Sequence, residues 1–281
     1  HDVLALPYRH GTASQNVLLG HAHGLPVLAT TAGTFAADVS DGVDTCTGTV
    51  AAGSCAISLT INGARTLTAQ YAGDANFNAG TSAGVAHTVD AVPPDTAIDA
   101  TPPDPSPSSA AAFTFSGTDA GTGVASFQCK LDTGSFTACT SPQSYPGLVD
   151  GSHTVQVRAI DGAGNADASP ASFTWTIDTA APDTAIGGTP PDPSTSVSAS
   201  FDFSGTDAGT GVASFQCKLD AGSFAACTTP QSYAVLLDGS HTFQVRAIDG
   251  AGNVDPTPAS FTWTINTAPP DTAIDSRPAN P

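Results

Sequence analysis

Glutamate and methionine are absent from this chain, and cations are scarce. All 25 acidic residues are Asp. Glu favours helix interiors whereas Asp favours turns and caps, so the bias points away from helical architecture. Lys and Arg together number seven, which leaves a formal net charge of −18. Acidity on that scale disfavours nucleic acid and anionic membrane, and it keeps an extended protein soluble. No run of 18 apolar residues occurs, so no membrane span is expected in this segment. The first residue is His1, so a processed chain or a piece of a longer one is expected. Neither a CxxC pair nor paired histidines accompany the cysteines, which argues against a zinc framework.

What is there is repetition. Residues 93–180 are followed by a near copy at 181–268, offset by 88 residues without a gap, and 69 of the 88 aligned positions are identical. A third copy opens at Pro269-Pro270-Asp271-Thr272-Ala273-Ile274. Stacked copies extend a chain without new chemistry, so the chain is expected to be part of a longer array. Nine Asp in repeat one stand against Lys130 and Arg158, and eight in repeat two against Lys218 and Arg246.

Within a repeat, Ala111–Phe115, Val155–Ala159 and Phe173–Ile177 alternate apolar and polar residues. Period two means one buried face and one wet face. Phe113, Phe115, Phe127, Val155, Val157, Phe173, Trp175 and Ile177 are the expected core. Asp132-Thr133-Gly134-Ser135 reads as a hairpin turn with Gly134 supplying positive φ, and Asp161–Asn165 reads as another turn. The Pro-rich stretch 101–105 cannot sit in a central strand and bounds the first one. Seven or so short strands in about 90 residues make an antiparallel β-sandwich. The six cysteines fall in three local pairs, Cys46/Cys55, Cys129/Cys139 and Cys217/Cys227. Even number, short spacing and repetition suggest disulfides and an oxidising compartment, the alternative being three pairs of buried thiols.

These residues resemble the bacterial immunoglobulin-like repeats of secreted and surface proteins. The resemblance runs through Ser126–Asp132, Leu148–His153, Val157–Asp161, Gly164-Asn165 and Trp175–Asp178, and it covers the whole repeat twice. It implies a spacer, stalk or adhesive module and names no activity. Residues 39–92 are related: Tyr71-Ala72-Gly73-Asp74-Ala75-Asn76-Phe77 resembles the Y-x-G-D-x-N-F signature of another bacterial immunoglobulin-like family, with its earlier strands missing.

The first 44 residues read differently. Asp2–Arg9 is strand-like, Thr12–His23 suits a helix stopped by Gly24, and Leu25–Thr30 is again strand-like, a β-α-β pattern. Leu6–Arg9, Ser14, His23–Thr30, Ala32-Gly33 and Asp41–Val43 resemble the sugar-nucleotide-binding half of GT-B type glycosyltransferases. The acidic residue common in that family falls on Leu19 here. Residues 1–38 are therefore expected to be foreign to the rest.

Asp150-Gly151-Ser152-His153, repeated at Asp238–His241, holds the residue types of a hydrolase triad, yet neighbours on a strand face opposite ways. Asp161, Asn165 and Asp167, with Asp249, Asn253 and Asp255, could offer oxygens to calcium, but their spacing is not that of a calcium loop and turn formation explains them. His21 and His23 diverge on a helix. Trp175 and Trp263 are either sugar platforms or core, and their alternating context favours core.

The sequence thus leads to an all-β chain of tandem immunoglobulin-like sandwiches with a β-α-β-like N-terminal segment. Expected divisions are 1–38, 39–92, 93–180, 181–268 and 269–281. The expected role is a non-enzymatic, extracellular or cell-surface structural or adhesive repeat protein. No cofactor is required, with weak Ca2+ binding left open. Partners would be other copies, neighbouring repeats, surface glycans or proteins. The alternatives are a glycosyltransferase fragment and a carbohydrate-binding module of a secreted enzyme.

Overall fold

The computed structural model of the chain describes residues 18–22, 25–29, 36–40, 42, 45–49, 62–71, 80–81 and 83–272. Every regular element among them is a β-strand. β1 (Leu18–Ala22) and β2 (Leu25–Ala29) pair antiparallel, with Ala22 opposite Leu25. This corrects the helix and the β-α-β pattern expected there. Two residues separate the strands, enough for a hairpin, whereas a parallel crossover needs a dozen or more. The rest of the expected helix, residues 12–17 and 23, and the expected strand Asp2–Arg9 lie outside the described residues.

β3 (Ala36–Ser40), β4 (Thr45–Thr49), β5 (Gly63–Tyr71), β6 (Gly80–Thr81) and β7 (Val85–Val89) form one sheet, with β3 between β4 and β5. β6 pairs Thr81 with Gln70, and β7 pairs Val85 with Leu67. The register along β5 differs by one residue between these two pairings. Ala72–Phe77 of the signature stretch lie outside the described residues, as does Cys55.

Repeat one supplies β8 (Asp95–Ala100), β9 (Ala111–Thr118), β10 (Val124–Leu131), β11 (Thr137–Cys139), β12 (Gln143–Tyr145), β13 (Gly151–Asp161) and β14 (Ala171–Ile177). Repeat two supplies β15 (Asp183–Gly188), β16 (Ala199–Thr206), β17 (Val212–Leu219), β18 (Ala225–Cys227), β19 (Gln231–Tyr233), β20 (Gly239–Asp249) and β21 (Ala259–Ile265). Each repeat has a three-stranded sheet, β12-β9-β8 or β19-β16-β15, and a four-stranded sheet, β11-β10-β13-β14 or β18-β17-β20-β21. These are immunoglobulin-like antiparallel sandwiches. The Pro-rich connection after β8 is tied down by Ser106. Its amide donates to the Thr176 carbonyl at 2.8 Å, and its own carbonyl accepts from the Asp178 amide at 3.0 Å.

Phe113, Phe115, Val155, Val157, Trp175 and Ile177 are buried, joined by Ala111, Cys129 and Ala159. Phe127 and Phe173, expected inside, are only half-buried. Each large side chain taken fully out of water stabilises by roughly 1.5–3 kcal/mol. In repeat two Phe243 replaces Val155 and stacks on Phe201, centroids 4.1 Å apart, while Trp263 meets the Phe201 ring edge-on at 5.1 Å. The Asp132 turn departs from expectation. The left-handed backbone belongs to Asp132 (φ 51°) and Asp220 (φ 53°), and Gly134 does not adopt it. Asp tolerates that region, and here its carboxylate gains partners by adopting it. Gly134 is needed for closeness instead, since a Cβ there would lie 2.9 Å from the Leu131 carbonyl oxygen.

The chain groups into two compact units whose boundary falls inside repeat one. Residues 117–127 and 158–170 go with the chain before residue 97, and the remainder of repeat one goes with repeat two.

Candidate functional site

In the second unit, the residue that follows β14 is an aspartate with almost no exposure. Asp178, 1% exposed, leaves repeat one and enters the end of repeat two. Its Oδ2 accepts from the Thr210 amide at 2.6 Å and the Thr210 hydroxyl at 2.7 Å. The Asn253 side-chain amide donates to the Asp178 carbonyl oxygen at 2.7 Å, and the Ala180 amide donates to Oδ1 at 3.2 Å. Gly209 makes room: a Cβ there would lie 2.3 Å from the Asp178 carboxyl carbon. Burial disfavours the Asp178 charge, but the Thr210 hydroxyl, the Thr210 amide and the Ala180 amide outweigh it. The carboxyl is therefore held below its ordinary range.

The first unit holds the same arrangement one repeat earlier. Asp90 Oδ2 accepts from the Thr122 amide and hydroxyl, both at 2.7 Å. The Asn165 side chain donates to the Asp90 carbonyl oxygen at 2.9 Å, and Gly121 leaves room for the carboxylate. The Thr122 hydroxyl, its amide and the Val92 amide hold Asp90 below the usual carboxylate range. Position 90 is in 88-residue register with 178, and the next position in the series is Asn266.

Each linker aspartate completes a trio of carboxylates. Asp90, Asp119 and Asp161 bring one oxygen each within 4.8 Å of the others, and so do Asp178, Asp207 and Asp249. Convergent carboxylates are the donor set of a hard cation such as Ca2+, which takes six to eight oxygens. Most of these oxygens already have partners. Asp249 Oδ1 accepts the Gly252 and Asn253 amides, both at 2.7 Å, and its Oδ2 accepts the Asn253 side chain. Asp207 Oδ2 accepts from the Gly209 and Gly211 amides at 3.0 and 2.7 Å. Oδ1 of Asp207, like that of Asp119, is buried without a hydrogen-bond partner. Asp161 and Asn165 thus meet at the joint. Asp167 is directed elsewhere, capping Ser169 with its Oδ1, 2.7 Å from that amide.

At the opposite end of each repeat lies a second constellation. Ser152 is exposed and His153 is buried, so the two face opposite sides of β13. His153 Nδ1 lies 2.8 Å from Asp132 Oδ2, and Nε2 lies 2.9 Å from the Val149 carbonyl oxygen. The nitrogen that a hydrolase would direct at its serine is occupied by backbone. Trp175 and Trp263 are 1% exposed and belong to the core. Disulfides join Cys129 to Cys139 and Cys217 to Cys227, each with Cα atoms 5.7 Å apart. They hold β10 to β11 and β17 to β18, consistent with the Cys217–Ala225 and Phe215–Cys227 register. The Cys46/Cys55 pair, and the side chains of His21 and His23, lie outside what the structure describes.

Sequence reasoning missed Asp90, Asp178 and the Asp132–His153 pair. One signal was available, the recurrence of each at an 88-residue spacing. Its meaning was hidden because the partners lie 32 and 75 residues away for Asp178 and 21 residues away for His153.

No family model and no curated protein matches this chain. Among solved structures it is similar to the fibronectin(III)-like modules of Clostridium thermocellum CbhA, with 14% identity, 60% of this chain and 93% of that one covered, and a TM-score of 0.41. It is also similar to a structure of a 1.5-MDa bacterial ice-binding adhesin, with 15% identity, 88% and 92% covered, and a TM-score of 0.38. A tetra-tandem repeat from the extending region of a large adhesion protein is similar at 23% identity, with 87% and 71% covered and a TM-score of 0.29. The glycosyltransferase resemblance of residues 1–44 finds no support in these comparisons.

Proposed function

We propose that the chain is a structural array, a run of β-sandwich repeats with stiffened joints that serves as a spacer, stalk or fibre segment at a bacterial surface. The observation that carries this reading is the linker aspartate. Asp178 belongs to the end of repeat one, yet its carboxylate is buried in partners supplied by repeat two. Asp90 makes the same contacts with repeat one. A joint repeated in register points to a role in transmitting length and force. In this reading 93–180 and 181–268 are whole modules, 39–92 precedes them and 269–281 opens another.

A non-catalytic role is supported by the backbone carbonyl that occupies Nε2 of His153 and, in repeat two, of His241. An oxidising, extracellular setting is supported by the two disulfides. Pulling the full chain from its ends tests the reading. A spacer gives two successive unfolding events of equal contour length for the two repeats. Repeats that yield without measurable resistance would sink it.

A further inference from the structure

Both ring nitrogens of His153 face groups that can only accept. The Asp132 carboxylate lies 2.8 Å from Nδ1 and the Val149 carbonyl oxygen 2.9 Å from Nε2. Neutral imidazole carries one N–H, so it would leave one of these contacts as two acceptors facing each other. With Asp132 ionised, its pKa held down against burial by the Thr154 amide and His153, the arrangement is satisfied only by imidazolium. Repeat two reproduces it, with Asp220 at 2.9 Å from His241 Nδ1 and the Leu237 carbonyl at 2.9 Å from Nε2.

The carbonyl that receives Nε2–H belongs to the residue just before Asp150, in the loop between β12 and β13. Asp150 Oδ1 in turn accepts from the Thr179 amide at 3.1 Å and the Thr179 hydroxyl at 2.9 Å. Thr179 is the residue after Asp178, the plug of the joint. In repeat two Asp238 takes the Thr267 hydroxyl at 2.9 Å. A continuous path of bonds therefore runs from the imidazole through one loop to the linker.

We propose that His153 and His241 are proton-dependent clamps, each holding the loop that grips the outgoing linker, so that loss of the imidazolium proton loosens the joint. The clamp stands on geometry inside each repeat, and its effect on the joint rests on the array reading above. The charged partner is Asp132 on the turn after β10, or Asp220 after β17. From β14 and β21 the rings of Trp175 and Trp263 face the imidazoles, at 5.7 and 5.5 Å. Asp220 also bears on the Tyr233 hydroxyl, which burial and that carboxylate keep neutral far above neutral pH. Tyr145 is kept neutral by burial.

Burial opposes the His153 charge, but the Val149 carbonyl and Asp132 outweigh it and raise its pKa. For His241 the Leu237 carbonyl and Asp220 raise it against a smaller burial effect. A raised folded pKa means stabilisation that is full below the unfolded value and lost as pH rises through the folded one.

The test is an NMR titration of the full-length protein. Seven histidines are present, and His153→Gln and His241→Gln assign the two signals. Both should titrate above the ordinary histidine value and show both N–H protons on the acid side. Protection of the Thr179 amide, taken relative to its base-catalysed intrinsic exchange at each pH, should fall about tenfold across the same midpoint, the factor that one lost bond of roughly 1.4 kcal/mol represents. In His153→Gln that pH-dependent fall in protection should vanish. Titration at or below the ordinary value would overturn the clamp. A raised titration that leaves Thr179 protection unchanged would overturn its coupling to the linker. Both readouts exist in the unmutated protein, so neither depends on a variant folding.

Discussion

Replacing Gly209 by alanine should eject the Asp178 plug. The added methyl would lie 2.3 Å from the carboxyl carbon and 2.3–2.4 Å from its oxygens, so the carboxylate must leave. Its departure removes the Thr210 amide and hydroxyl bonds of 2.6 and 2.7 Å. Charge-assisted bonds contribute roughly 1.5–3 kcal/mol each. The alanine returns about 0.4–1 kcal/mol by restricting the unfolded chain, because Gly209 does not use the left-handed backbone. The expected net loss is therefore about 2–5.5 kcal/mol. Urea unfolding of Gly209→Ala, Asp178→Ala and the double variant, followed by tryptophan fluorescence and fitted as separate transitions, gives the coupling directly. With Asp178 already removed, Gly209→Ala should be neutral or slightly stabilising. Equal losses in both backgrounds would refute the contact as the cause.

Val235 holds a left-handed backbone (φ 61°) while 84% exposed, where repeat one has Gly147 (φ 69°). That region is penalised by roughly 1–2 kcal/mol in a β-branched residue, so Val235→Gly should raise the repeat-two unfolding midpoint by an amount worth about 0.5–1 kcal/mol. Gly147→Val should lower that of repeat one. Removing the Cys217–Cys227 disulfide by paired alanine substitution should destabilise repeat two by about 3 kcal/mol in the chain-entropy model, measurable as a lower urea midpoint. Asp178 has a depressed pKa, so its contribution is full above the unfolded value of about 3.9 and lost as pH falls below it. Amide shifts of Thr210 should therefore report joint opening in acid, and Asp178→Asn should abolish that titration.

Much of the sandwich was legible because alternation is local. Phe113, Val155, Val157 and Trp175 face inward as their period-two context dictates, and all four are buried. Phe127 and Phe173 alternate as cleanly yet are half-buried, since the pattern gives a face and not a depth. The turn at Asp132 was visible, but not that Asp rather than Gly134 adopts positive φ, because the stabilising Thr154 amide and His153 imidazole come from β13. The hairpin of β1 and β2 was misread because a short apolar run suits helix and strand alike. The joint was illegible for the same reason that it is informative: Asp178 ends one repeat, and every group that buries its carboxylate Oδ2 belongs to the next.

The most direct measurement is a set of residual dipolar couplings across repeats one and two of the full chain, repeated in Asp178→Ala. A locked joint gives one alignment tensor for both repeats, which splits into two when the carboxylate is removed. Two independent tensors in the unmutated chain would contradict a stiffened joint and, with it, the spacer role.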